Sequence, residues 1–222
     1  MNLFINKDYI NSDIKLIEKY LQKGDVFVDV GANIGAWTLF ASNKVGNDGK
    51  VFSFEPHPIT YKYLVENVIL NEAHNIITEN CGIANKVGYL YFTNSLDDTN
   101  HIALNNENDT IKIPVKKLDD FTENEKKIHL LKIDVEGFEL FALQGAIETL
   151  RKTEILIFES WAETQRQYNY SFSELFSFII NFGFEIYKIE DGDSYTLIEN
   201  SDYSSQTCEN LVAIKDKKIS EI

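Results

Sequence analysis

The chain contains few of the residues that form disulfide frameworks or metal sites. Its 222 residues include two cysteines, four histidines, three prolines and one methionine. Cys81 and Cys208 are too few and too widely separated for a disulfide framework or a thiolate metal site. We interpret both thiols as buried or incidental, and the four histidines show no spacing typical of metal ligands.

Long apolar runs and an excess of positive charge are missing as well. No apolar run approaches the roughly 20 residues of a membrane-spanning helix, and the first eight residues, Met-Asn-Leu-Phe-Ile-Asn-Lys-Asp, lack the uninterrupted apolar core of a signal peptide. The formal net charge of −14 opposes attraction to the phosphates of a nucleic acid. We therefore expect a cytoplasmic protein that does not span a membrane and does not act on nucleic acid.

Apolar residues make up 44% of the chain, which is enough for a sizeable packed core. No repeat, low-complexity tract or linker divides the sequence, so residues 1–222 are predicted to form a single domain. Residues 1–24 are its helical lead-in, because apolar residues recur at helical spacing between positions 9 and 22.

Short apolar strands then alternate with helices. The pattern predicts, among others, a strand at Ile76–Glu79 or slightly beyond, a helix around Glu139–Leu150, and a helix that begins with the capping box Ser171-Phe-Ser-Glu174. The last two strands are joined without an obvious helix, and residues 191–193 form the turn after the first of them. This pattern predicts an α/β fold with a mostly parallel sheet and an antiparallel terminal strand.

Residues 85–117 depart from the alternation of strands and helices. Tyr89–Thr93 and Ile111–Val115 are predicted β-segments on either side of a polar stretch, Asn94–Asp109. This β-rich insertion is either a plain surface loop or a lid over a bound substrate.

The most informative stretch is Val-Phe-Val-Asp-Val-Gly-Ala-Asn-Ile-Gly, residues 26–35. An apolar strand ends there in a turn that contains Gly31 and Gly35, and Asp29 lies two residues before the turn. A glycine turn between a parallel strand and a helix lets a ligand approach the backbone closely, at the edge where open α/β sheets bind ligands. The carboxylate of Asp29 would attract a cationic amino-acid ligand and would repel a pyrophosphate.

A nicotinamide dinucleotide site would need glycine at two positions that hold Asn33 and Ala36. The next short apolar strand ends in Glu55, at the distance expected for the second strand of a βαβ unit. A carboxylate there can accept hydrogen bonds from both hydroxyls of a ribose. The two segments together predict a small-ligand site at this edge of the sheet.

Candidate catalytic residues follow the next two strands of the sheet. Asp134 and Glu136 end the fourth strand, and Glu159 ends the fifth. Neighbouring strands lie about 4.8 Å apart, so these carboxylates are expected to converge, which would raise the pKa of at least one of them. A carboxylate with a raised pKa suits a general base, and Gly137 would let the chain turn sharply into the next helix.

Several side chains near these acids allow two interpretations. Lys132, within the fourth strand, either pairs with an acid or contacts a substrate. Glu136 and Glu139 either act in the site or favour the start of the following helix electrostatically. His57 and His101 are either structural or close enough to reach a substrate.

A divalent metal ion is the main mechanistic alternative to a base. Asp134 and Glu159, on adjacent strand ends, offer oxygen ligands that suit Mg²⁺. A third ligand is not identifiable from the sequence.

Four segments, in this order along the chain, resemble the FkbM-type S-adenosylmethionine-dependent methyltransferases: Val28–Gly35, Phe54–Pro56, Leu118–Asp120 and Lys132–Glu139. The resemblance covers roughly residues 24–160. It implies the seven-stranded Rossmann-like methyltransferase sheet, S-adenosylmethionine as the cofactor, and O-methyl transfer, often onto a sugar or polyketide hydroxyl.

On this basis the candidate residues fall into a cofactor group and an acceptor group. The cofactor group is Asp29, Gly31, Ala32, Asn33, Gly35, Glu55, Pro56, Asn80, Cys81 and Gly82, of which the last three are expected at the adenine. Asp134, Glu136 and Glu159 are expected to act on the acceptor, a small molecule or glycan with a hydroxyl group. Mg²⁺, if used, would be held by Asp134 and Glu159.

Other functions are weighed by what the sequence contains. A cofactor-binding protein without catalysis and, less favoured, a nicotinamide-dependent oxidoreductase are the alternatives. An N-methyltransferase of the amino-purine or glutamine type would be expected to carry an Asp/Asn-Pro-Pro-aromatic motif at the fourth strand. The three prolines include no adjacent pair, so this class is not favoured.

Overall fold

The structure is a computed structural model that describes residues 14–94, 99–104, 108–190, 194–198 and 209–215. The start of the predicted lead-in helix, a predicted turn at residues 191–193 and Cys208 lie outside these residues.

The described residues form eleven strands and eight helices. The strands are β1 Val26–Val30, β2 Lys50–Phe54, β3 Ile76–Glu79, β4 Gly82–Ile83, β5 Gly88–Thr93, β6 Thr110–Lys116, β7 Ile128–Ile133, β8 Thr153–Ser160, β9 Phe184–Glu190, β10 Ser194–Leu197 and β11 Glu209–Lys215. The helices are α1 Lys15–Tyr20, α2 Ala36–Val45, α3 Pro58–Leu70, α4 Asp119–Thr122, α5 Glu139–Gln144, α6 Ile147–Arg151, α7 Ala162–Gln167 and α8 Phe172–Ile180.

Eight strands form one sheet in the order β10-β9-β11-β8-β7-β1-β2-β3. Strands β8, β7, β1, β2 and β3 run parallel, whereas β11 is antiparallel to both of its neighbours. The mostly parallel sheet with an antiparallel terminal strand is therefore confirmed. The described part of this sheet has eight strands instead of the expected seven, because β10 adds an antiparallel edge strand beside β9. Strand β10 has only four residues, too few for an alternation of apolar and polar residues that would reveal it in the sequence.

The predicted β-rich insertion forms a second sheet. Strands β5 and β6 pair as an antiparallel hairpin, with Gly88 opposite Val115 and Thr93 opposite Thr110, and β4 runs parallel to β6. Phe92 belongs to the main hydrophobic core, so the insertion packs against the rest of the molecule.

Both faces of the central strands are buried, which explains their continuous apolar runs. Along β1, Phe27 packs with Leu130 in one core layer. Val28 and Val30 point the other way and pack in a second, larger layer. Polar side chains are consequently confined to the strand ends, apart from a few buried groups that pair with one another.

The helix predicted around residues 139–150 is two helices, α5 and α6, with Gly145 between them. A Cβ on Gly145 would lie 2.0 Å from the carbonyl oxygen of Ala84, so the backbones approach too closely for any other residue. Among the described residues, no helix combines the length and the apolar character needed to cross a membrane.

Candidate active site

The carboxyl ends of β1, β2, β7 and β8 open into a cleft of about 970 Å³. The turn after β1, the start of α3, the junction of β3 and β4, and the insertion line this cleft together with the strand-end acids. Ligand sites commonly measure about 300–1,000 Å³. The cleft therefore lies at the upper end of the range for a ligand site.

Gly31 brings three strand ends together at the floor of the cleft. Its φ is 82°, and a Cβ on it would lie 1.8 Å from the carbonyl oxygen of Asp134. The N–H groups of Gly31 and Ala32 both donate to the carbonyl oxygen of Phe54, at 3.0 Å. Only glycine fits this position, because the end of β7 occupies the space where a side chain would begin.

Asn33 and Gly35 complete the turn in different ways. Asn33 has a φ of 51° and lines the cleft. Gly35 precedes α2 and is not among the lining residues, and a Cβ on it would lie 2.6 Å from Cδ1 of Leu64. Its role is to let α2 pack closely on α3.

Glu55 lies in the cleft with both carboxylate oxygens bound to the backbone. Oε2 accepts the N–H of Asn33 at 2.9 Å, and Oε1 accepts the N–H of His57 at 2.9 Å. Burial raises the pKa of Glu55 to about 7, although these two hydrogen bonds lower it. An ionised carboxylate has about four acceptor positions, so two remain for hydroxyl groups of a ligand.

The segment expected at the adenine is divided between the wall of the cleft and its support. Pro56, Cys81 and Gly82 line the cleft. Asn80 does not, but its side-chain amide donates to the carbonyl oxygens of Glu55 at 2.8 Å and of Pro56 at 3.1 Å. Burial raises the pKa of Cys81 to about 12, so its thiol stays neutral and is not a nucleophile.

Asp29 lies behind the wall of the cleft. Its side chain is fully buried and is not among the lining residues. Oδ2 accepts a hydrogen bond from the Thr38 hydroxyl at 2.7 Å, and Oδ1 lies 3.9 Å from Nζ of Lys132. Burial raises the pKa of Asp29, and the charge of Lys132 opposes this rise. The carboxylate of Asp29 therefore faces the ammonium group of Lys132, a residue that itself lines the cleft.

Lys132 pairs with Asp134 and Asp29, as the first of its two interpretations predicted. Its Nζ donates to Oδ2 of Asp134 at 2.9 Å, and only 3% of the residue is exposed. Burial alone would lower the pKa of Lys132, but the carboxylates of Asp134 and Asp29 outweigh it and hold that pKa above its ordinary value. The ammonium group also lies over the ring of Trp37, 5.3 Å from the ring centre.

Asp134, Glu136 and Glu159 converge on one part of the cleft. One carboxylate oxygen from each lies within 4.8 Å of the other two, and all three residues line the cleft. The predicted convergence is therefore confirmed. For the alternative with a divalent metal ion, Glu136 also offers the third ligand that could not be identified from the sequence.

Glu136 reaches this cluster from an unusual backbone conformation. Glu136 has a φ of 55° and Gly137 a φ of 96°, and the N–H of Phe138 donates to the carbonyl oxygen of Val135 at 3.2 Å. Two central residues with positive φ are typical of a type I′ turn. A left-handed conformation costs a non-glycine residue about 1–2 kcal/mol, and strain of this kind is concentrated at functional sites.

The insertion covers the cleft, which supports its interpretation as a lid. Phe92, Asn94 and Ile102 line the cleft from this side. The hydroxyl of Tyr168 donates to the carbonyl oxygen of Ile102 at 2.6 Å, so the segment that follows α7 holds the insertion in place.

The two histidines singled out from the sequence differ in position, because His57 lines the cleft and His101 does not. His57 is buried at the start of α3, where its Nδ1 accepts the N–H of Thr60 at 3.5 Å. Nε2 therefore carries the proton and donates to Oδ1 of Asn94 at 3.0 Å. His101 does not line the cleft, and its Nδ1 lies 3.0 Å from the carbonyl oxygen of Thr99.

Comparison of sequences places residues 29–186 on the family model described as a methyltransferase FkbM domain. Methyltransferase 1 of Beauveria bassiana (strain ARSEF 2860) is 30% identical over 142 residues, covering 53% of this chain and 57% of the relative. The hexuronic acid methyltransferase AglP of Haloferax volcanii is 30% identical over 148 residues, covering 66% of this chain and 60% of the relative. The chain thus spans less than two thirds of the length of either curated relative.

Comparison of structures identifies the fold. The precorrin-6y C5,15-methyltransferase of Geobacter metallireducens GS-15 has a TM-score of 0.54 at 12% identity, covering 97% of this chain and 94% of that chain. A Streptococcus mutans protein solved in complex with SAH has a TM-score of 0.53 at 10% identity, covering 91% of this chain and 95% of that chain. These matches confirm the Rossmann-like methyltransferase fold expected from the sequence.

Proposed function

The chain belongs to the methyltransferase FkbM family, which matches it over residues 29–186, and on this premise we infer that it transfers a methyl group from S-adenosylmethionine to a hydroxyl oxygen. The match to the family model confirms the family resemblance noted in the sequence. The proposed acceptor is a sugar, a glycan or another small metabolite.

The observation that carries this proposal is that one cleft joins the candidate cofactor residues to a cluster of acids. The turn at Gly31 and the carboxylate of Glu55 lie on one side, and Asp134 and Glu159 lie on the other. A binding protein without catalysis would need only the first side. The nicotinamide alternative is disfavoured by Asn33 and Ala36, which replace two glycines of the dinucleotide fingerprint.

The residues on the first side fit S-adenosylmethionine. Glu55 has two acceptor positions left for the ribose hydroxyls after binding the backbone N–H groups of Asn33 and His57. The turn at Gly31 and Ala32 lets the ligand approach the backbone, and Cys81 and Gly82 form the wall proposed for the adenine. When bound, S-adenosylmethionine supplies an electrophilic methyl group.

The acids on the other side are proposed to act on the acceptor. Methyl transfer requires the acceptor oxygen to be held in line with the methyl carbon and its proton to be removed near the transition state. Lys132 binds Oδ2 of Asp134 and fixes the orientation of the carboxylate, and Oδ1 is the proposed proton acceptor. Glu136 and Glu159 are proposed to orient the acceptor hydroxyls, while Phe92 and Ile102 exclude water.

A divalent cation is the second mechanistic candidate, favoured by the spacing of the three acids. Asp134, Glu136 and Glu159 each place an oxygen within 4.8 Å of the others, and carboxylate oxygens suit Mg²⁺. These residues would hold the ion, and the ion would lower the pKa of the acceptor hydroxyl.

A sugar acceptor is supported by one relative, the hexuronic acid methyltransferase AglP. The insertion that covers the cleft also lines it with side chains that suit a polyol, namely Asn94, Thr99 and Asn100. Hydroxyl and amide groups of this kind bind sugar hydroxyls without needing a charge.

Melting curves with added ligands test the cofactor assignment. S-adenosylhomocysteine should raise Tm, and NAD and NADP should not, because a ligand that binds only the folded state stabilises it. Stabilisation by a nicotinamide dinucleotide alone would contradict the proposal. The acceptor is found by comparing the glycans and small metabolites of cells with and without the gene for a lost methyl group.

A further inference from the structure

The carboxylate of Glu139 reaches back over the turn that presents Glu136. Its Oε1 accepts the N–H of Gly137 at 3.0 Å and the N–H of Val135 at 3.3 Å. Glu139 is therefore bound to the backbone on both sides of Glu136. If Glu139 only favoured the start of α5 electrostatically, it would not have to accept these two hydrogen bonds from the residues before and after Glu136.

Tyr170, 31 residues further along the chain, binds the same turn from the other side. Its hydroxyl lies 2.8 Å from the carbonyl oxygen of Gly137 and 3.0 Å from Oε2 of Glu139, and it donates toward both acceptors. Glu139, Tyr170 and the turn thus form one hydrogen-bonded unit. It is enclosed, since only 1% of Glu139 and 4% of Tyr170 are exposed.

The close packing of Gly137 leaves the turn little room to relax. Gly137 has a φ of 96°, and a Cβ on it would lie 2.6 Å from the Cβ of Thr164 in α7. The turn is therefore pressed against α7 on one side and bound by Glu139 and Tyr170 on the other. Burying a carboxylate is unfavourable without compensating hydrogen bonds, so the bonds to this turn account for the position of Glu139.

We propose that Glu139 and Tyr170 are positioning residues, which hold Glu136 in its left-handed conformation and thereby keep its carboxylate in the cluster with Asp134 and Glu159. The inference rests on the proposed function, because the cluster is where the acceptor is bound. Neither residue touches the acceptor; both act through Glu136.

Four variants separate this role from a general contribution to stability. Glu139→Met removes the carboxylate at similar side-chain length, and Tyr170→Phe removes only the hydroxyl. Glu139→Gln is the conservative variant, because its amide oxygen can still accept the N–H of Gly137 and its amide nitrogen can donate to Tyr170. Asp119→Asn is the matched control: Asp119 also binds backbone N–H groups, those of Glu148 and Thr149 at the start of α6, but it does not line the cleft.

The first measurement is independent of the acceptor. The NMR coupling between the amide and α protons of Glu136 reports its φ when it is read together with the intraresidue NOE between the same two protons, which is strongest at positive φ. It should indicate a positive φ in the unaltered protein, in Glu139→Gln and in Asp119→Asn, and should change in Glu139→Met and in Tyr170→Phe. An unchanged coupling in both of the latter variants would overturn the proposal, whether or not the protein is a methyltransferase.

The second measurement is methyl transfer from tritiated S-adenosylmethionine to a deproteinised carbohydrate extract of the source cells. Glu139→Met should transfer about 10²-fold more slowly, the scale expected for a misplacement of about 1 Å in a site, while its affinity for S-adenosylhomocysteine stays within about twofold. Glu139→Gln should recover most of the rate. A rate in Glu139→Met that falls no further than that of Asp119→Asn would contradict the positioning role. If the unaltered protein neither binds S-adenosylhomocysteine nor transfers label, the proposed function fails, and the coupling of Glu136 still decides the positioning role.

Discussion

Replacing Glu55 by glutamine separates ligand binding from folding at the candidate cofactor site. Each oxygen of the Glu55 carboxylate accepts a different backbone N–H, from Asn33 and from His57, at 2.9 Å. Glutamine keeps one acceptor oxygen and puts an NH₂ group in place of the other. One backbone donor therefore loses its partner, which costs about 1–3 kcal/mol of unfolding free energy.

A second effect of the substitution opposes this loss. Burial raises the pKa of Glu55 from 4.5 to about 7. The folded protein therefore holds a proton that the unfolded chain has released, and the free energy of unfolding falls as pH rises from 4.5 to about 7. Above pH 7 the ionised Glu55 lowers the unfolding free energy by about 3 kcal/mol, at about 1.4 kcal/mol for each pH unit. Glutamine removes this penalty, so the unfolding free energy of the ligand-free variant at pH 8 should stay within about 2 kcal/mol of the original value.

Affinity for the cofactor should change far more than stability. Hydrogen bonds from two ribose hydroxyls to a carboxylate are worth about 1.5–3 kcal/mol, so Glu55→Gln should weaken S-adenosylhomocysteine binding about 10- to 150-fold at pH 8. These hydroxyls favour the ionised carboxylate. Binding to the unaltered protein should therefore weaken below about pH 7, by at most about tenfold for each pH unit, and the variant should lack this dependence.

Isothermal titration calorimetry between pH 5.5 and 8.5 measures the affinity for S-adenosylhomocysteine and the dependence of that affinity on pH. Melting curves of the ligand-free proteins are the control for folding. Equal affinity in the two proteins at pH 8 would place Glu55 outside the cofactor site. An identical pH dependence in both proteins would show that another group controls the affinity.

Four further substitutions probe the rest of the cleft. Gly31→Ala should lower the unfolding free energy by at least about 2 kcal/mol, since a left-handed φ and a contact of 1.8 Å with the Asp134 carbonyl both oppose a side chain; an unchanged Tm would contradict this. Asp134→Asn should keep the affinity for S-adenosylhomocysteine and lower turnover by about two or more orders of magnitude. Glu159→Gln should resemble it only if a metal is shared, in which case EDTA abolishes turnover and Mg²⁺ restores it; a metal-free base predicts no effect of EDTA. Lys132→Met should cost about 3–5 kcal/mol of unfolding free energy, because Asp29 is left buried without its counter-charge, and a loss below about 1 kcal/mol in a urea titration would refute this.

Much of the fold could be predicted because its local signals agree with the tertiary structure. The strand Ile76–Glu79 has the predicted bounds, and Ser171 and Glu174 form the predicted capping box at the start of α8. Apolar runs bounded by glycine were sufficient to identify the central strands. The break at Gly145 could not be predicted, since it depends on the backbone of Ala84, which is distant in the sequence.

The part of the candidate site that could be predicted consists of residues whose type suits a ligand site directly at the end of a strand. Gly31 and Glu55 both lie in the cleft, at the ends of β1 and β2. The burial of Asp29 behind Lys132 was not predictable, because it depends on the pairing of β1 with β7.

Glu136 was predicted as a candidate catalytic residue, but its backbone conformation and the residues that support it were hidden for a similar reason. Glu136 joins the cluster only because its turn is left-handed, and the Glu-Gly pair at positions 136 and 137 was the one local signal for such a turn. Tyr170 carries no sequence signal at all, since it meets Glu139 only in the folded protein.

Transfer of a labelled methyl group tests the central claim most directly. The protein is incubated with S-adenosylmethionine that carries a trideuterated methyl group and with a deproteinised extract of the source cells, and the products are analysed by mass spectrometry. The proposal predicts one trideuterated methyl group on a hydroxyl oxygen of a sugar or small metabolite, formed together with S-adenosylhomocysteine and strongly reduced by Asp134→Asn. A label found on nitrogen or carbon, or transfer that is unaffected by Asp134→Asn, would contradict it.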